Sequence, residues 1–240
     1  MYESTSAWFM IGLNLIMIAY TLWVLSLSRP ATKLLIGIGV AMAAWLTLLH
    51  LGILTKSMFP ADISGVVFLV FIFAYVGVVG TVLFVFPPVR RLLLGLDQKQ
   101  LLLLQGIRVF FGATFLMQAS LGILPRGFGI MDGFTHIGAG FFGLIATFSL
   151  AVGVEGSRRA WFANIFGLAD ILAVASSLAL ILLPEIGPYH SMMYAVFLPA
   201  PLWLWFHVVS IWKLVRDRSA IPHQESAPDS LLQHSSLRSA

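Results

Sequence analysis

Long apolar runs alternate with short polar joints along nearly the whole chain. Seven runs stand out: Trp8–Ser28, Leu34–Leu54, Ser64–Phe86, Leu101–Ile123, Gly133–Gly153, Trp161–Leu183 and Ser191–Leu214. Each holds about 20 residues or more, and at roughly 1.5 Å rise per residue a helix of that length crosses a hydrocarbon layer about 30 Å thick. The pattern predicts an all-α polytopic membrane protein of seven transmembrane helices, occupying residues 1–218. Residues 219–240, rich in Ser, Pro, His and Gln, are expected to form a disordered cytoplasmic tail. The joints are short, so successive helices should be antiparallel neighbours. The longest joint, Pro87–Gln100, is amphipathic enough to lie on the membrane surface.

Charge fixes the expected orientation. Arg29 and Lys33, then Arg90, Arg91 and Lys99, then Arg158 and Arg159, then Lys213, Arg216, Arg218 and Arg238 all fall on one set of alternate joints. The other set holds only Lys56 and Arg126. The positive-inside rule then places the N-terminus outside and the C-terminus in the cytoplasm. The first run is read as a retained helix rather than a cleavable signal, because Glu3 precedes it instead of a basic cluster.

Composition narrows the classes. Hydrophobic residues make up 59% of the chain and charged residues 10%, against about 25% charged in a soluble domain. The isoelectric point near 9.7 comes from the basic joints, and no basic stripe interleaved with aromatics indicates nucleic-acid binding. Cysteine is absent, which excludes disulfides, thiol catalysis, Cys-ligated zinc and iron–sulfur clusters. A retinal protein needs a lysine deep in the last helix, and Lys213 sits at its end. No phosphate-binding loop, zinc-protease or nucleophile-elbow motif is present.

Chemistry therefore has to come from polar residues inside the runs. A charge near the bilayer centre costs at least about 2.5–3.5 kcal/mol and must face the bundle. Counted from the run ends, these residues fall at two depths. Gln105, Arg108, Asp170 and His207 form an inner group, with Arg108 and Asp170 expected to pair. Gln105 and Arg108 would share a face at i,i+3. Ala163, Gly167, Ala173 and Ser177 make a small-residue stripe near Asp170. Asn14, His50, Gln118, Asp132 and His136 form an outer group. Gly39, Ala43 and Thr47 clear space beside His50, and Gly140 and Gly143 continue the face of His136. Most aromatics, including Trp8, Tyr189 and Trp212, sit near run ends like an interfacial belt. Trp203 lies deeper, on the His207 side.

Three segments carry a resemblance: Gln105-Gly-Ile-Arg108, Gly167-Leu-Ala-Asp170, and Pro201-Leu-Trp-Leu-Trp-Phe-His207-Val-Val-Ser210. Together, over Leu101 to Leu214, they resemble a group of uncharacterised bacterial integral membrane proteins. The resemblance implies a bacterial inner membrane and points to Arg108, Asp170 and His207, but brings no activity. The group has an acidic residue near the place of His136, where this chain departs.

Three function classes follow. The first is binding or transport of a small molecule or ion through a polar pocket in the cytoplasmic half. Arg108 would hold an anion or pair with Asp170, His207 would donate or relay a proton, and Gln105 would orient them. The second is a haem- or metal-binding redox protein, with His50 and His136 as ligands and Asp132 as ligand or orienter. The third is a structural or assembly protein without a small ligand. Substrate and oligomeric state are not legible.

Overall fold

A computed structural model of the chain describes residues 2–153 and 156–219. The expected tail from residue 220 onward lies outside the described residues. All regular structure among the described residues is helical: α1 (Tyr2–Ser26), α2 (Thr32–Leu54), α3 (Gly65–Val85), α4 (Pro87–Gly95), α5 (Gln98–Leu103), α6 (Arg108–Ser120), α7 (Arg126–Val152), α8 (Gly156–Ser177), a π-helical segment (Leu178–Leu182), α9 (Leu183–Ile186), α10 (Met193–Val196) and α11 (Pro199–Ser219). Among the described residues, seven stretches are long and apolar enough to cross a membrane.

The bundle turns apolar side chains outward and keeps polar ones inside, as a helix bundle in lipid would. Val66, Val70, Phe134, Phe141, Phe148 and Ile181 point outward and are more than half exposed. Asn14, Gln105, Arg108, Asp132, His136, Asn164, Asp170 and His207 are buried. Lipid tails are as apolar as leucine, so apolar burial does not drive such helices together; close packing and internal polar contacts hold them. Local ends follow ordinary rules. Ser64 caps α3 by accepting from the Val67 amide. Asp97 and Gln100 form a capping box at α5. Pro87 starts α4, and Gly153, at φ 76°, ends α7.

Three of the seven spans are not continuous helices. The fourth breaks between α5 and α6, where Gln105, Gly106 and Arg108 donate backbone bonds three residues back instead of four. Leu104, Gln105, Gly106 and Ile107 are all buried there. The sixth widens into the π-helical segment just before Pro184, whose missing N–H and bulky ring disturb the turn above it. The seventh breaks between α10 and α11. Pro201 has no N–H for the Phe197 carbonyl four residues back, and the Trp45 indole N–H (2.7 Å) and Tyr75 hydroxyl (2.8 Å) bond that carbonyl instead. Backbone irregularity at such depth is tolerated only where protein or an internal cavity surrounds it.

Two helices extend well past their expected starts. The Gly133–Gly153 run is α7, which begins at Arg126, and the Trp161–Leu183 run is α8, which begins at Gly156. His136 therefore lies ten residues into α7, about 15 Å from its end. Asp170 lies fourteen residues into α8, about 21 Å from its end. The division into two depths fails for this reason: both residues belong to the middle of the bundle.

Candidate functional site

The site is built where α6, α7, α8 and α11 meet. Glycine sets two of the approaches. A Cβ at Gly140 would lie 2.9 Å from the Val109 amide nitrogen and 3.2 Å from the Gln105 carbonyl, so only glycine lets α7 lie this close to the break in span four. A Cβ at Gly167 would run into the His207 ring and lie 3.2 Å from Arg108 Nη1. Of the expected stripe beside Asp170, Gly167 is the residue whose missing side chain makes room for the site.

Arg108 is fully buried and is the hub. Its Nη2 donates to Asp170 Oδ2, forming the expected ion pair. Its Nη1 donates to the Gly167 carbonyl (3.3 Å) and to His207 Nε2 (3.2 Å). The Trp203 ring lies 5.2 Å from the guanidinium carbon, a cation–π distance. Because arginine only donates, His207 Nε2 must accept. The network then assigns the proton of His207 to Nδ1, which donates to Asn164 Oδ1 (2.9 Å). Asn164 in turn donates to Ser210 Oγ (2.7 Å) and the Ala160 carbonyl (2.8 Å). His207 Nε2 is held as an acceptor that orients Arg108.

His136, assigned to the outer group, joins this cluster. Its Nδ1 lies 2.8 Å from Asp132 Oδ1 and 3.3 Å from Asp170 Oδ2. Its ring stands edge-on to Phe115 and Trp203, with centroids 5.4 and 5.8 Å away. Five atoms of this group are buried without a hydrogen-bond partner of good geometry: both carboxylate oxygens of Asp132, Oδ1 of Asp170, Nδ1 of His136 and Nε of Arg108. The 2.8 Å contact is thus an ion-pair separation with a poor hydrogen-bond angle. Buried polar atoms are paired in all but a few cases, so this concentration makes the group the candidate site. Asp132, His136 and Asp170 each offer one ligand atom, all within 4.8 Å of one another. A cavity of about 40 Å³ adjoins Asp132, His136, Phe115 and Trp203, room for a water-sized species.

The other expected residues lie elsewhere. His50 bonds the Tyr194 hydroxyl (2.6 Å) and packs against Trp8 at 5.5 Å. It is not part of the Asp132–His136–Asp170 group. Position explains it: His50 is four residues from the end of α2, while His136 is ten residues into α7. Ala43 and Thr47 are exposed rather than clearing space beside His50. Gln105 donates to the Trp203 carbonyl (3.3 Å) and not toward Arg108. Asn14 bonds its own helix at the Met10 carbonyl, and Gln118 bonds Ser6.

Asn164 was missed by sequence reasoning because the run containing it was started at Trp161, which put it near an end. The available signal was its spacing: Asn164, Gly167 and Asp170 follow one another three residues apart on α8.

A family model described as a domain of unknown function (DUF8737) matches residues 65–215, which include every member of the cluster. No curated protein and no solved structure matches the chain.

Proposed function

The chain belongs to the DUF8737 family, and we propose that it is a membrane-spanning ion-binding protein that takes up a small cation, a proton in the first instance, at the Asp132–His136–Asp170 group and passes it through the bundle. The observation that carries this reading is the buried group of two carboxylates and an imidazole beside Arg108, several of whose atoms lack a hydrogen bond of good geometry.

Charge counting favours the proton. Arg108 offsets Asp170, leaving one negative charge on Asp132 with His136 neutral. One proton shared among Asp132, His136 and Asp170 makes the set neutral, and an unbalanced charge in a low-dielectric interior is costly. Ionisable groups deep in spans serve ion paths as a rule. Discontinuous helices near mid-depth are the usual frame for such sites, and breaks in spans four and seven directly precede Arg108 and Trp203. His207 and Asn164 then position the guanidinium, and Trp203 covers it.

A divalent transition metal is the second reading, favoured by three ligand atoms within 4.8 Å. Mixed nitrogen and oxygen donors suit zinc, manganese or iron. Arg108 counts against it, since a divalent ion would leave the set with a net positive charge. We assign the protein to a bacterial cytoplasmic membrane with its N-terminus outside, supported by the basic joints and the resemblance described above.

The test is proton flux into liposomes carrying the purified protein and an entrapped pH-sensitive dye, driven by an imposed potential. Flux well above that of protein-free liposomes, lost in Asp132→Asn and in His136→Gln, supports the reading. Equal flux from wild type, variants and empty liposomes sinks it. Stoichiometric zinc, manganese or iron in the purified protein, lost in the same variants, would put the metal reading in its place.

A further inference from the structure

A second pair of cavities lies away from the charged cluster. The first, about 420 Å³, is walled by Leu25 of α1, Met42 of α2, Val79 of α3, Leu93 of α4, and Leu202 and Phe206 of α11. Its lining is almost wholly apolar. The polar atoms that reach it are already engaged. Thr21 Oγ donates to Met17 sulfur (3.4 Å), and the Trp45 and Tyr75 donors are both on the Phe197 carbonyl. An occupant finds no free hydrogen-bond donor there, so the part that enters is chiefly hydrocarbon.

The second cavity, also about 420 Å³, sits at the α1–α2 and α3–α4 joints and is lined by Ser28, Pro30, Pro88 and Arg91 among others. Leu92 lines both cavities, so they lie on either side of one α4 residue. Arg91 faces the second one, and Arg29, Arg90 and Lys33 are exposed on the same two joints. No carboxylate lines either cavity. Asp97, the nearest acid in sequence, lies 3.7 Å from Lys99. Between the cavities runs α4, with Leu93 and the following Leu96 buried and Arg90 and Arg91 outward. That is the arrangement of a helix lying at the boundary between acyl chains and headgroups.

We propose that the two cavities together hold one anionic phospholipid. An acyl chain fills the first cavity, and the headgroup phosphate meets Arg91 in the second, inside the field of Arg29, Lys33 and Arg90. Basic residues beside a span attract anionic headgroups, and the apolar slot next to them favours an amphiphile over a free anion. The chain would rest on α11 one turn beyond the break at Phe197.

The test is native mass spectrometry of the full protein released from bilayers of equal phosphatidylglycerol and phosphatidylcholine. Wild type should retain one phosphatidylglycerol preferentially. Arg91→Gln should lower that preference about fivefold, the effect of one basic residue near the surface. Val79→Trp, which fills the apolar slot, should lose the retained lipid of either headgroup. Added inorganic phosphate should not displace it. Equal retention of both lipids by wild type would mean annular lipid only, and displacement by phosphate would mean a free-anion site. Either result overturns the proposal, as does an unchanged preference in Arg91→Gln.

Discussion

The ion pair between Arg108 and Asp170 gives the sharpest quantitative test, through Arg108→Met and Asp170→Asn alone and together. Both side chains are almost fully buried, at 0% and 2% exposure. Removing one member of such a pair leaves the other charge uncompensated, which costs about 3–5 kcal/mol. Arg108→Met also strips donors from the Gly167 carbonyl and His207 Nε2. Asp170→Asn leaves the guanidinium with those two acceptors and the Trp203 face, but with no carboxylate in direct contact. The double variant removes both charges and keeps the volume nearly constant. Its cost should fall to about 1–3 kcal/mol, set by the two acceptors left without Arg108. The singles therefore sum to about 6–10 kcal/mol, while the pair costs far less, giving a coupling of several kcal/mol. Equilibrium unfolding in mixed detergent micelles, followed by circular dichroism, measures all four forms. A double variant whose cost equals the sum of the singles to within about 0.5 kcal/mol would refute the reasoning, because independent sites add to that precision.

Gly167→Ala should cost about 1–3 kcal/mol in the same assay, because the new Cβ meets a His207 ring held on both sides by Arg108 and Asn164; a neutral result would mean that His207 is free to move. Trp45→Phe and Tyr75→Phe should each cost about 1 kcal/mol, and together more than their sum, since the Phe197 carbonyl then loses its last donor. Adding Pro201→Ala should remove that excess by supplying a backbone N–H, and a persistent excess would show that the carbonyl is not the reason. His50→Phe should cost about 1 kcal/mol for the Tyr194 hydrogen bond while leaving proton flux and metal content unchanged; loss of either would return His50 to the site.

The spans were legible because hydropathy and length decide them and lipid leaves few alternatives. The Arg108–Asp170 pair was legible because two formal charges deep in apolar runs have nowhere else to go. The joining of His136 and Asp132 to that pair was not. Depth was counted from the ends of apolar runs, but α7 starts at Arg126 and α8 at Gly156, in polar sequence that hydropathy excludes. A shift of five to seven residues moves a side chain by about 8–10 Å along a helix, enough to separate residues that touch. The hydrogen-bond partners of Gln105 and His207 were not legible for a different reason: which atom accepts and which donates depends on the whole network. His207 becomes an acceptor only because Arg108 reaches its Nε2.

The breaks and the buried charges belong to one design constraint. The three-residue turns at 104–107 keep Gln105 and Arg108 on one side of the span. Gln105 reaches the Trp203 carbonyl on α11, and Arg108 reaches His207 on α11 as well as Asp170 on α8. Trp203 lies two residues after Pro201, in the first turn and a half of α11. The break that exposes the Phe197 carbonyl also sets the axis from which Trp203 and His207 approach the guanidinium. An irregular backbone in lipid needs its freed groups satisfied, and here Tyr20, Trp45 and Tyr75 from helices outside the cluster supply the donors. Spans one, two and three therefore hold the scaffold in its broken form, while spans four to seven hold the charge.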